Sequence, residues 1–103
     1  MKPPVVEIPE QFERDTNGTE ADWLRTLLGA CGAHALSLPS PSEALVQIDT
    51  GLLHLAWQVL PPHRIALVSL PHLLVRYTFE GVEPEQRRRF MKHFDLYMQR
   101  GGG

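Results

Sequence analysis

"LLHLAWQVLPPHRIALVSLPHLLVRYTFE", residues 52–80, is the stretch whose reading decides the fold. Three apolar runs rich in leucine and valine are cut by Pro61-Pro62 and by Pro71, residues that punctuate strands. "ALVQI" precedes them, followed by the turn signal Asp49-Thr50-Gly51. The spacing predicts four strands, over 44–49, 52–59, 64–70 and 72–80. Connections this short leave no room for parallel crossovers, so the expected sheet is an antiparallel meander.

The strands are apolar on both sides. Leu53, Leu55, Trp57 and Val59 share one face, while Leu52, His54, Ala56 and Gln58 make the other only half polar. Ile65 and Leu67 alternate with Ala66, Val68 and Leu70 in the same way. A sheet with one wet face alternates more cleanly, so the second face is expected to be covered. Helices on opposite faces would cover it, as would the N-terminal segment folded across. A homodimer through Leu52, His54, Val68 and Leu74 would do so too.

Outward from the strands lie two helices. Thr19-Glu20-Ala21-Asp22 reads as a capping box, and Leu24, Leu27, Leu28 and Cys31 follow as one stripe, with Trp23 beside it. Gly29 and Gly32 weaken that helix towards its end. "SLPSPSE" (37–43) has the composition of a loop. Pro84 suits a first helical turn, and the last helix is expected to run to about Gln99. Its apolar face is Phe90, Met91, Phe94, Tyr97 and Met98.

The expectation is a single α+β domain over 19–100, of order α-β-β-β-β-α. A flexible acidic arm containing prolines occupies 1–18, where "VVEI" (5–8) could add an edge strand, and a glycine tail occupies 101–103. The 103 residues, 43% hydrophobic and 21% charged, suffice for one core and exclude wholesale disorder. One cysteine excludes an internal disulfide and fits a reducing compartment. The opening residues carry prolines and acids where a signal peptide is apolar, and no run approaches the ~20 apolar residues of a membrane span. These features predict a cytoplasmic protein. The order of helix, small antiparallel sheet and closing helix resembles secretion-chaperone-like and other small adaptor folds, which implies a protein-interaction role.

Motifs for catalysis are missing. His54, His63 and His72 recur at intervals of nine, yet no Cys-x-x-Cys, His-Glu-x-x-His or adjacent acidic cluster accompanies them. They are read as structural or surface histidines, with no metal and no cofactor expected; an enzyme or metal protein using His54 and His72 is the second alternative. Cys31 and His34 stand one helical turn apart, but Cys31 falls on the leucine stripe, where a thiol behaves as a small hydrophobe. No catalytic residue is assigned.

Charge is polarised along the chain. Residues 1–22 hold six acids against Lys2 and Arg14, whereas residues 81–103 hold five cations against Glu83, Glu85 and Asp95. On the last helix Arg88, Arg89, Lys92 and Arg100 form a basic face, assigned to an acidic protein segment or to the chain's own arm. Nucleic acid ranks below these partners, because the phenylalanines nearby belong to the core and the sequence pI is about 6.2. The expected function is a non-catalytic interaction module: an adaptor, chaperone-like or regulatory protein.

Overall fold

A computed structural model describes residues 7–101. The elements are β1 (Gln11–Asn17), α1 (Glu20–Ala30), β2 (Leu36–Ser40), β3 (Glu43–Ile48), β4 (Gly51–Ile65), β5 (Val68–Glu80) and α2 (Pro84–Gly101). From α1 onward the order is α-β-β-β-β-α, and the five strands form one antiparallel sheet of order β1-β5-β4-β3-β2. The protein is α+β.

The strands are partitioned differently from the expectation. β4 does not stop at Pro61-Pro62, and β5 passes through Pro71; the turn between them is Ala66-Leu67, closed by the pair Ile65 and Val68. Proline lacks an N–H, which matters only where a neighbouring strand needs that donor. β3 has ended opposite Ala56, and β1 ends opposite His72. Pro61 and Pro62 form a bulge opposite Pro71, where the ladder is already interrupted, and the Pro71 carbonyl still accepts from Gly18 N–H at 2.9 Å. The true turn has Ala66 at φ 55, a left-handed conformation that usually announces itself with glycine or asparagine.

Two segments expected to be irregular are edge strands. Gln11–Asn17, assigned above to the arm, pairs with β5 from Gln11 opposite Thr78 to Asn17 opposite His72. Leu36–Ser40, which overlaps the 37–43 stretch read as loop, pairs with β3 with a register shift between Ser37 and Ser40. Gln11–Asn17 is mostly polar, and Leu36–Ser40 contains proline, as edges tolerate. Of "VVEI", Val5 and Val6 lie outside the described residues, as do Gly102 and Gly103, and Glu7 and Ile8 are described but not in a strand.

Both helices pack on one face. Thr19 caps α1 by the capping box with Asp22, as the sequence predicts. Trp23, Leu27, Ala30 and Cys31 of α1 join Phe90, Met91 and Phe94 of α2 over Val46, Leu53, Leu55, Trp57, Leu73, Val75, Tyr77 and Phe79. Aromatic contacts knit the layers: Trp23 meets Trp57 at 5.7 Å and Phe94 at 6.2 Å, and Tyr77 meets Phe94 edge-on at 6.0 Å. Leu28, placed on the stripe by its spacing, is exposed, and Trp23 takes the inward position. Gly29 is a notch rather than a weak point: a Cβ there would overlap the Tyr97 side chain on α2.

β1 is locked to α2 as well as to β5. Phe12 stacks on Tyr77 at 4.6 Å, and the Arg14 guanidinium lies over both rings and bonds Asp95 at 2.6 Å. Arg87, buried, donates to the carbonyls of Ile8 and Val82 at 2.8 and 2.7 Å. The two carbonyls engage Nε and one Nη of the guanidinium, which lowers the cost of burying it.

Two substitutions test this packing. Phe94→Ala is expected to cost about 3–5 kcal/mol in denaturant unfolding, because Phe94 is at the junction of α1, α2 and β5; a melt matching wild type would show that the helices do not pack this way. Gly51→Ala drives a Cβ into the backbone of Glu80 and Gly81, which cannot rotate away, and about 1–3 kcal/mol of destabilisation is expected.

Candidate functional site

One sheet face carries the helices; the other is bare among the described residues. Leu45, Leu52, His54, Ala56, Leu74 and Thr78 lie on it at partial or full exposure, beside Glu13, Asp15, Glu43 and Arg76. Neither helix crosses it, and β1 widens the sheet without folding over it. Of the residues assigned to a dimer face, Leu52 and Val68 are exposed, and His54 and Leu74 are half-buried.

Beyond its neighbours the β4–β5 ladder continues as a two-stranded hairpin, roughly 59–71. Val59, Ile65, Val68 and Leu70 are exposed on it, and Leu67 at the tip is fully exposed, at 103%. Ile65, Val68 and Leu70 point to the bare-face side and, with Leu67 at the tip, form an apolar patch of the kind that marks a contact surface, whereas Val59 projects on the helix side. The prolines deny part of its edges the N–H groups a docking strand would need, so side-chain packing is favoured over strand addition.

At the root of this hairpin three side chains converge. The ladder shifts by one residue between Leu60 opposite His72 and His63 opposite Leu70. A bulge of one residue moves the following side chains to the other face. His63 is thereby brought onto the bare face, stacked on His72 with ring centroids 3.8 Å apart. Asp15 comes from β1: its Oδ1 is 2.8 Å from His72 Nδ1, and its Oδ2 is 3.9 Å from His63 Nε2. His72 Nε2 is 2.7 Å from the Pro61 carbonyl oxygen. Both ring nitrogens of this buried histidine thus face oxygen acceptors. The hydrogen bond to Asp15 foremost, helped by the Pro61 carbonyl and the Asp15 charge and opposed by burial, raises the His72 pKa above the ordinary histidine value.

His54 does not belong to this group. It lies opposite Thr78, six positions along β5 from His72, or about 20 Å, and faces Glu43 at 3.4 Å. The pairing of His54 with His72 is therefore corrected. The cluster escaped sequence reading because the bulge, not the spacing, aligns His63 with His72, and because Asp15 arrives on a segment read as an arm.

Cys31 and His34 are also separated in role. Cys31 is in the core, and burial pushes its thiol up to about 11. His34 is exposed, approaches Phe90 edge-on at 5.3 Å and has Nδ1 3.0 Å from the Gln47 carbonyl. It helps line an open cleft of about 230 Å³ with Asp49, Arg89 and His93, where Asp49 and Gln86 bond each other.

The basic helix face is partly spent. Arg88 grips Glu85 through bonds of 2.8 and 2.6 Å, which hold the Glu85 carboxyl below its ordinary range, whereas Arg89 and Lys92 are exposed. The Arg100 side chain lies outside the described residues. The arginine that meets the N-terminal segment is Arg87, through Ile8. No described helix is long and apolar enough to cross a membrane. The fold and the bare sheet face define a two-layer α+β protein, and neither family models nor curated proteins yield a match to the chain.

The buried thiol supplies a test. With its pKa raised to about 11, Cys31 stays protonated at pH 7–8. Modification by a disulfide reagent is expected to be slow in the native protein and rapid in denaturant. Fast native labelling would restore Cys31 as a reactive group.

Proposed function

We propose that the protein is a non-catalytic interaction module that works as a homodimer, docking through the projecting β4–β5 hairpin and the adjoining bare sheet face. The observation that carries this reading is the group of exposed aliphatic side chains, Ile65, Leu67, Val68 and Leu70, on a hairpin that projects beyond the neighbouring strands. A two-fold interface must be complementary to itself. This surface suits that requirement because it is apolar at the hairpin and mixed in sign around it, with Glu13, Asp15 and Glu43 beside Arg76.

Exposed Arg89 and Lys92 on α2 offer a subsidiary contact for an acidic segment. Nucleic acid ranks lower: Phe90 and Phe94 are buried and supply no stacking platform, and Arg89 and Lys92, the exposed cations of α2 without an ion pair among the described residues, release few counterions. Cytoplasmic residence belongs to the same proposal, and a buried protonated thiol suits it.

Light scattering over a range of concentrations tests the dimer. The expected mass is twice the 11.7 kDa of one chain, falling to that of one chain in the double variant Leu67→Asp, Val68→Asp. Both residues are exposed, so thermal stability of the dissociated chain should change little. A wild-type protein that stays at one chain's mass at every concentration sinks the reading.

A further inference from the structure

We infer that Asp15, His63 and His72 form a site for a divalent d-block cation of the zinc class at the root of the hairpin. The ligand atoms these residues offer all lie within 4.8 Å of one another. They come from three strands, β1, β4 and β5, so an ion bound to them would fasten the bulge and the N-terminal strand together.

The orientation of His72 carries the argument. Its side chain is only 7% exposed, and its Nε2 meets the Pro61 carbonyl oxygen at 2.7 Å. A histidine that binds metal usually donates its other N–H to a carbonyl or carboxylate, which fixes the tautomer and turns the lone pair towards the ion. Here Nε2–H donating to Pro61 leaves the Nδ1 lone pair facing Asp15 Oδ1, 2.8 Å away. Two lone pairs at that separation need a positive charge between them. A proton can supply it, giving imidazolium and carboxylate. A metal ion can supply it instead, displacing that proton and recruiting His63.

The distances suit such an exchange. With bonds of about 2.0–2.2 Å, two ligands of one tetrahedral zinc ion lie roughly 3.3 Å apart. Asp15 Oδ1 has to withdraw slightly from His72, and Asp15 Oδ2 and His63 Nε2, now 3.9 Å apart, have to close. His63 and Asp15 are more than half exposed and can turn, while buried His72 stays as the fixed ligand. Two imidazoles and a carboxylate suit zinc, nickel or copper better than magnesium or calcium, which favour all-oxygen sites. A water would fill the fourth position on the solvent side.

The site is complete within one chain, so the inference does not depend on the dimer. The experiment is calorimetric titration of zinc chloride into the tag-free, chelator-stripped full chain, with His ring resonances followed by NMR. The expected result is one ion per chain and a melting temperature that rises with zinc concentration. Affinity should fall at least tenfold in His63→Ala and in Asp15→Asn and be unchanged in His93→Ala, whose ring lines the separate cleft. The ring signals of His63 and His72 should move in the wild type, and those of His34, His54 and His93 should not. Absence of binding overturns the inference. So does binding that survives His63→Ala, or zinc that shifts His34 and His93 instead.

Discussion

The pairing of β4 with β5 runs from Leu52 opposite Glu80 to Ile65 opposite Val68, further than the pairing of β3 or β1 with either strand. In its first half the ladder is central to the sheet and buries Leu53, Leu55, Trp57, Val75, Tyr77 and Phe79 under two helices. In its second half it has outrun its neighbours, and the same alternation of leucine and valine points into solvent. Core, bare face and projecting hairpin are consequences of one long ladder with shorter strands at its sides.

One-sided packing follows from the aromatic residues. Trp23, Trp57, Tyr77, Phe79, Phe90 and Phe94 interlock on the inner face, and Arg87 and Arg14 tie the N-terminal strand to the closing helix. Gly29 lets α1 and α2 approach, because Tyr97 occupies the space a side chain would take. Helices that pack against each other as well as on the sheet cannot also cover its far side. The second apolar face, which the sequence leads one to expect covered, stays bare among the described residues.

The bulge at Pro61-Pro62 has a second effect beside letting β4 continue. It changes the face on which His63 emerges, and so makes neighbours of two histidines that a regular ladder would place on opposite sides. Asp15 reaches them only because an acidic segment pairs as a strand with β5. Whatever charge resides between Asp15 and His72, proton or metal ion, it joins the projecting hairpin to the body of the sheet.

Much was legible in the residues alone. The capping box at Thr19, the start of α2 at Pro84, the Asp49-Thr50 turn and the alternating inner face of β4 and β5 are local patterns, fixed by dihedral preferences and by a period of two or 3.6. They determine that the chain is α+β, with four antiparallel strands following one another between the two helices in the sequence. Tertiary structure decided where prolines break a strand and where they do not, since that depends on whether a neighbour needs the missing N–H. It also decided that Gln11–Asn17 is a strand, because its partner β5 lies some sixty residues away and Phe12 is its one large apolar contact. The grouping of Asp15, His63 and His72 was beyond sequence for the same reason: it rests on a one-residue shift between distant strands, which no local pattern records.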